Sequence, residues 1–110
     1  MQKISLILGM FLFLGGCAAI PLNPGAERVR LIKTEPGNEC KFLGEATGHQ
    51  GGGGYASDVN KETGARNDLK NKAAEMGGNT VAILSDRSHT NAFGNQMSVT
   101  LSGSVYQCPE

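Results

Sequence analysis

The stretch that most constrains the fold is residues 63–84, where a helix pattern, a helix stop and a buried strand pattern follow one another. Ala65, Leu69, Ala73 and Met76 recur at spacings of four, four and three, which places them on one face of an α-helix. The apolar stripe is narrow and consists largely of alanine. We therefore expect this helix to pack closely on a sheet.

The end of the helix is marked more clearly than its start. Gly77 and Gly78 are typical of the left-handed residue that ends helices. Residues 80–84 are apolar on both faces, which favours an interior strand. Gly64 weakens the first turns by about 1 kcal/mol, so residues 58–62 are predicted to lead into the helix.

The first 16 residues have the features of a secretory signal. Lys3 precedes an apolar run, residues 4–14, that is too short to span a bilayer comfortably and ends in small residues. Residues 14–17, Leu-Gly-Gly-Cys, resemble the bacterial lipobox. The resemblance implies cleavage before Cys17 and acylation of its sulfur and amino group, which anchors a protein stably where one chain would not. The alternative is an ordinary signal peptide with an incidental cysteine.

The residues after the cysteine predict location and domain limits. Ala18 stands where an aspartate would favour retention in the inner membrane, so the outer membrane is expected, with the protein facing the periplasm. Residues 17–28 are predicted to be the lipid anchor and a short tether, and residues 29–110 the folded domain. The ten tether residues, 18–27, reach at most about 33 Å.

Four segments have the composition of strands: residues 29–34, 40–47, 80–84 and 97–107. The last of them alternates apolar with hydroxyl side chains, which predicts one solvent-exposed face and a helix on the other. Residues 48–55 and 85–96 are predicted to be loops. The sequence therefore predicts a single small α/β (α+β) domain, a mixed four-stranded sheet with one main helix on one face.

The two cysteines of the predicted domain suggest its topology. Cys40 opens the second strand and Cys108 closes the fourth. If these strands are antiparallel neighbours, a disulfide between the two cysteines follows naturally in an oxidising periplasm. With the fourth strand between the second and third, and a right-handed crossover, the expected strand order is 1-2-4-3 or a close variant.

The chain as a whole resembles a family of small Gram-negative lipoproteins that carry a domain of unknown function. The motifs behind this resemblance are the lipobox, residues 21–29, 40–44, 65–74, 78–79 and 106–109. More distantly, the helix and its exit resemble the periplasmic domain of the Rcs envelope-stress sensor lipoprotein, which uses paired disulfides in an α/β domain. This chain differs from that protein in two respects. Only Cys40 and Cys108 remain to form a disulfide, and no long proline-rich tether precedes the domain.

A metal site and two kinds of catalytic site can be imagined. Cys40, Cys108, His49 and His89 are residue types that zinc accepts, but no pair has the close spacing of a zinc motif. We therefore expect no metal and no cofactor.

Gly51 and the three glycines after it lack the Lys-Ser/Thr pair of a phosphate loop. Ser85, Asp86 and His89 are close in sequence, but a hydrolase needs such groups to converge in space around an oxyanion hole. The sequence predicts no enzyme.

The most distinctive polar group is Arg66, Asn67 and Asn71, on adjacent turns of the predicted helix. They form either a structural network or a surface for a partner protein. The chain has a formal net charge of zero and no basic patch, which makes nucleic acid a poor partner. The sequence thus predicts a non-enzymatic, membrane-anchored envelope lipoprotein that binds another envelope component. The alternative is a metal- or redox-responsive module acting through Cys40 and Cys108.

Overall fold

A computed structural model describes residues 19–51, 58–90 and 96–110. Its elements in chain order are a short 3-10 helix (Ala26–Arg28), β1 (Arg30–Ile32), β2 (Lys41–Gln50), α1 (Asp58–Glu75), β3 (Thr80–Thr90) and β4 (Gln96–Gln107). The strands form one mixed sheet and α1 packs on one face of it, so the fold is the predicted small α+β domain. In the described ranges, no helix combines the length and apolar character needed to cross a bilayer.

The strand order is β1-β3-β4-β2, with β1 parallel to β3 and the other two pairs antiparallel. The predicted position of β4 between β2 and β3 is confirmed. The predicted position of β1 beside β2 is wrong. The Arg30 amide donates to the Asn79 carbonyl at 3.0 Å, so β1 enters next to the residue that follows the helix stop, at the β3 edge. The alternation of polar and apolar side chains within a three-residue strand does not show which edge of the sheet the strand joins.

The core lies between α1 and the sheet. Ala65, Leu69 and Ala73 have no exposed surface, which confirms the predicted buried stripe. Met76 was expected on the same stripe, but it follows the last helical residue and is 37% exposed. The stripe instead begins with Lys61, which is four residues before Ala65 and only 1% exposed. From the sheet, Val29, Val81, Val99, Leu101 and Val105 complete the core.

The helix ends as the glycine pair predicts. Gly77 has a φ of 84°, and its amide donates to the Ala74 carbonyl at 3.0 Å. The Gly78 amide donates to the Ala73 carbonyl at 2.9 Å. These two bonds are the Schellman pattern, which satisfies carbonyls at the end of a helix. The chain then enters β3, where Val81 and Ala82 are both buried, as expected for an interior strand.

Three elements are longer than the sequence predicts. The helix begins at Asp58, strand β2 continues to Gln50, and β3 continues to Thr90. The prediction of a polar loop from residue 85 is therefore wrong as far as Thr90, because these polar residues pair with β4 in a hairpin. Residues 91–95 and most of the predicted glycine loop, 52–55, lie outside the described residues.

The disulfide joins Cys40, just before β2, to Cys108, just after β4. The neighbouring pair Lys41 and Gln107 is in register between these antiparallel strands, so the structure has the bridge that the sequence predicts. The bridge closes two strands at the same end of the sheet.

Removing the bridge should lower stability substantially. Substituting both Cys40 and Cys108 by Ala opens a loop with a sequence separation of 68 residues. The chain-entropy model then gives a loss of about 4 kcal/mol in the free energy of unfolding. Urea unfolding of the two proteins measures it. Coinciding transitions would contradict the expected role of the bridge.

At Gly48 the backbone of α1 lies close against strand β2, and enlarging this residue should disturb the fold. A Cβ there would meet the Ala65 carbonyl and lie 2.5 Å from the Leu69 amide nitrogen. Gly48→Ala should therefore cost about 1–3 kcal/mol of overpacking strain. The matched control is Gly51→Ala, where the nearest atom to the new Cβ is a His49 ring nitrogen at 3.7 Å. Equal urea midpoints for the two variants would show that the helix can move away freely.

Candidate functional site

The three polar side chains that the sequence groups together are divided by the structure. Asn67 and Asn71 lie one turn apart on α1 and bind the backbone of the N-terminal segment. Arg66 is exposed and lines a separate cleft of about 340 Å³, together with Asp86 of β3. The three side chains therefore do not form one continuous surface.

Asn67 and Asn71 together satisfy three backbone groups. The Nδ2 of Asn67 donates to the Ile20 carbonyl at 2.7 Å. The Nδ2 of Asn71 donates to the Pro21 carbonyl at 3.0 Å, and its Oδ1 accepts from the Asn23 amide at 2.8 Å. An amide side chain offers both a donor and an acceptor, so it can bind a backbone segment that has no strand beside it. Asn71 is only 7% exposed, so these bonds are largely shielded from water.

Gln50 completes the set from the sheet. Its Oε1 accepts from the Ile20 amide at 2.9 Å, and its Nε2 donates to the Gly51 carbonyl at 2.9 Å. Gly64 of α1 makes room for this side chain, because a Cβ there would lie 2.5 Å from the Cδ of Gln50. The sequence did not point to Gln50, because the second strand was predicted to end at Thr47. The only sequence signal for Gln50 is that the alternation of side chains in the strand continues past Thr47.

We call Gln50, Asn67 and Asn71 the amide clamp. Its four hydrogen bonds to residues 20–23 each contribute about 0.5–1.5 kcal/mol net. The segment that the sequence predicts to be a tether is therefore held on the domain from Ile20 onward. The sequence could not show this, because proline-rich composition alone is equally typical of a free linker.

Beyond the clamp, the chain continues along α1 into the core. Pro24 and Gly25 line a groove with Ala74 and Gly77 at the end of the helix. Ala26 of the 3-10 helix has no exposed surface. Residues 20–28 are thus a structural part of the domain and connect the clamp directly to β1.

A second set of polar contacts fixes α1 on strand β2. The Oδ2 of Asp68 accepts from the His49 amide at 2.9 Å and lies 3.2 Å from the Lys72 Nζ. The same Nζ donates to the Thr47 carbonyl at 2.7 Å. Asp68 and Lys72 thus form an i,i+4 ion pair on α1 that also binds backbone groups of the strand.

Asn79 links three elements at the end of the domain that carries the disulfide. Its Nδ2 donates to the Cys108 carbonyl at 2.7 Å, and its Oδ1 accepts from the Cys108 amide at 2.8 Å. Its own amide donates to the Tyr106 carbonyl and its carbonyl accepts from Arg30, both at 3.0 Å. One side chain after the helix stop thus positions the C-terminal cysteine against β1 and β3.

The sheet face away from α1 carries polar pairs and one aromatic pair. Between β2 and β4, the hydroxyls of Thr47 and Ser102 are 3.2 Å apart, and the His49 Nδ1 is 2.8 Å from the Thr100 Oγ1. Nearer the disulfide, Phe42 packs edge-on against Tyr106, with ring centroids 5.6 Å apart. Phe42 is nevertheless 56% exposed. We call this surface the open face.

The four residues considered for a metal site are not brought together where the structure describes them. Cys40 and Cys108 are bonded to each other at one end of β2, and His49 lies near the other end. The side chain of His89 lies outside the described residues. Within residues 19–51, 58–90 and 96–110, no three His, Cys, Asp or Glu side chains form a group that could hold a metal ion.

The candidate catalytic residues Ser85 and Asp86 are successive residues of β3. Side chains of successive strand residues point to opposite faces of a sheet, and Asp86 lines the cleft beside Arg66 on the helix side. Of the four-glycine run, only Gly51 is described. The described pair therefore does not converge on a common point.

Breaking the amide clamp should loosen the N-terminal segment. Asn71→Ala removes two hydrogen bonds and leaves the Pro21 carbonyl and Asn23 amide without them, which should cost about 1–3 kcal/mol. The matched control is Glu75→Ala, one turn further along α1 and exposed, for which we expect a change below about 0.5 kcal/mol. Amide hydrogen exchange at Asn23 and urea unfolding measure the two effects. Unchanged exchange in Asn71→Ala would contradict the role of the clamp.

Comparisons with known proteins agree with the described limits of the domain. Residues 20–108 match the model of the family described as a domain of unknown function (DUF4156). The chain is also similar to the proteins named "Uncharacterized protein YjeI" of Escherichia coli strain K12 and of Shigella flexneri. Each is 36% identical over 109 residues, covering 94% of this chain and 92% of the relative. The family match begins at Ile20, the first residue that the amide clamp holds, and the chain belongs to the DUF4156 family.

Proposed function

We propose that this protein is a lipid-anchored lipoprotein of the Gram-negative outer membrane, facing the periplasm, and that it binds another envelope component without catalysing a reaction. The anchor is the acylated Cys17 at the new N-terminus. The folded part follows at once and presents its open face to the periplasm.

The observation that carries this proposal is how soon after Cys17 the hydrogen-bonded part of the chain begins. Residues 14–17 resemble a lipobox, and Ile20, three residues after the cysteine, is already hydrogen bonded to Gln50 and Asn67. The hydrogen-bonded part of the domain thus begins just after the processing site that the lipobox resemblance implies, so the two features support the same start of the mature protein.

The disulfide between Cys40 and Cys108 supports an oxidising compartment. Structural disulfides persist in the periplasm and on cell surfaces but are rare in the cytosol. The bridge closes the end of the sheet opposite the amide clamp, where Asn79 also binds Cys108. The disulfide end of the domain is therefore fixed by a bond that suits a protein outside the cytoplasm.

The proposed contact with a partner is on the open face, at Phe42 and Tyr106. Exposed aromatic side chains are enriched at protein interfaces, where a rigid ring adds apolar contact area at low entropic cost. Phe42 is 56% exposed although it already packs on Tyr106. The hydroxyl pair of Thr47 and Ser102, further along the same two strands, adds a polar region to the open face. The alternative surface predicted from Arg66, Asn67 and Asn71 has lost its two asparagines to the amide clamp.

Mass spectrometry of the protein purified from membranes tests the anchor. The expected N-terminal peptide starts at Cys17 and carries a diacylglycerol group and an amide-linked acyl chain. Cys17→Ser should keep residues 1–16 attached and prevent acylation. Finding the wild-type protein in the cytosol with residues 1–16 intact would refute the proposal.

Membrane fractionation tests the location separately. The wild-type protein should be recovered with the outer membrane, and Ala18→Asp should move it to the inner membrane. The same distribution for both proteins would contradict the role assigned to Ala18 while leaving the anchor itself intact.

Photo-crosslinking in intact cells tests the contact surface. A photoreactive residue in place of Phe42 should give a defined adduct, whereas the matched control at exposed Glu27 should not. Adducts that are the same at both positions, or absent at both, would contradict a partner on the open face.

The alternative, a metal- or redox-responsive module, would act through Cys40 and Cys108. The described feature that favours it is their disulfide. A reversible change in partner adducts when the bridge is reduced at the periplasmic redox potential would support this alternative over a purely structural bridge.

A further inference from the structure

The N-terminal segment, residues 20–24, has a defined direction along α1. Ile20 is held at Asn67, Pro21 and Asn23 are held one turn later at Asn71, and Pro24 reaches the groove at the end of α1. Residues 20–24 therefore run parallel to α1, from its middle towards its C-terminal end. Ile20 is thus the held residue that lies nearest to the first turns of the helix.

The contacts with β2 show how far each part of α1 lies from the disulfide, measured along the direction of the strand. Lys72 binds Thr47, Asp68 binds His49, and the side chain of Gln50 lies against Gly64. The helix is thus antiparallel to β2, and its first six residues extend past the end of that strand. At 1.5 Å per residue they extend about 9 Å beyond Gln50.

The hairpin of β3 and β4 extends a similar distance beyond Gln50. Gln50 is in register with Val99, and Val99 with Ser88. Gln96 lies three residues beyond Val99, and Thr90 two residues beyond Ser88, which places the described end of the hairpin about 7–10 Å beyond Gln50. We call this end of the domain, formed by the first two turns of α1 and the end of the β3–β4 hairpin, the helix-start end.

The length of chain between Cys17 and Ile20 is similar to the distance by which the helix-start end extends beyond Gln50. Ile20 is the third residue after Cys17, so an extended chain carries Cys17 at most about 10 Å from Ile20. Acyl chains on Cys17 can enter a bilayer only if the bilayer surface lies within about that distance of Ile20, and the helix-start end is the end of the domain nearest to Ile20. The opposite end of the domain, with the disulfide, is about 30 Å away along the ten residues of β2.

We propose that the helix-start end rests on the lipid bilayer and that the amide clamp fixes this orientation; the inference rests on the proposed acylation of Cys17. The exposed residues of the first turns suit a lipid headgroup layer. Val59 is 73% exposed, an apolar side chain on a helix whose core stripe faces elsewhere. The nearby cation Lys61 is 1% exposed and points into the domain. The partner is therefore a lipid surface, which the exposed Val59 contacts from a helix turn that also carries the half-buried Glu62.

Single tryptophans report the orientation, because the chain has no tryptophan of its own. Val59→Trp places the probe at the helix-start end. The matched control, Gln107→Trp, places it at an exposed position beside the disulfide. The full acylated chain, purified from membranes, is reconstituted into phosphatidylethanolamine–phosphatidylglycerol vesicles with and without brominated acyl chains.

In brominated vesicles, Val59→Trp should lose about half of its fluorescence, as expected for a group 5–10 Å into the headgroup region, and Gln107→Trp should be unchanged. Adding Asn67→Ala and Asn71→Ala to the Val59→Trp protein should remove most of the quenching, since three of the four hydrogen bonds that hold residues 20–23 are then lost and only the bond from Ile20 to Gln50 remains. Preserved disulfide formation shows that this variant is folded.

The outcomes separate the two proposals. If the chain purified from membranes carries no acyl groups and does not float with the vesicles, both the anchor and the orientation are refuted. A protein that floats but shows equal quenching at both positions refutes the orientation alone. Quenching of Val59→Trp that persists without Asn67 and Asn71 refutes the role of the clamp.

Discussion

The structure depends on how closely α1 approaches the sheet at Gly48. A side chain at that position would meet the backbone of Ala65 and Leu69, so the helix lies on the strand almost backbone to backbone. This approach allows Asp68 and Lys72 to reach backbone groups of β2 and places Asn67 and Asn71 where the N-terminal segment passes. A bulkier interface would separate all of these partners.

The polar contacts that hold the chain termini fall into two sets. Beside the middle of α1, Gln50 and the two asparagines hold residues 20–23. At the disulfide end of the domain, Asn79 and the bridge hold the C-terminus. Both sets use amide side chains to satisfy backbone groups that no strand pairs. Amides do this without a net charge, so the bonds do not depend on pH.

The sequence predicted those parts of the fold that local chemistry determines. The glycine pair Gly77-Gly78 ended the helix, the alanine stripe packed closely, and the cysteines paired because their strands are antiparallel neighbours. The edge position of β1 could not be predicted, because it depends on a backbone bond to Asn79 that no pattern encodes. The polar half of β3 was also missed, since its residues are stabilised by pairing with β4 rather than by their own composition. At the candidate site, the sequence grouped Arg66, Asn67 and Asn71, but the structure separates Arg66 from the two asparagines. The segment that the asparagines bind, and the part of Gln50, emerge only in three dimensions.

The pair Asp68 and Lys72 has a consequence for the behaviour of the molecule in a crowded envelope. Strand β2 forms one border of the sheet, and its outward backbone groups would otherwise be available to a strand from a second molecule. The carboxylate of Asp68 accepts from the His49 amide and the ammonium of Lys72 donates to the Thr47 carbonyl, both within the last four residues of that border. The pair therefore leaves fewer backbone groups on this border for an added strand, even though an exposed ion pair of this kind adds little to folding stability.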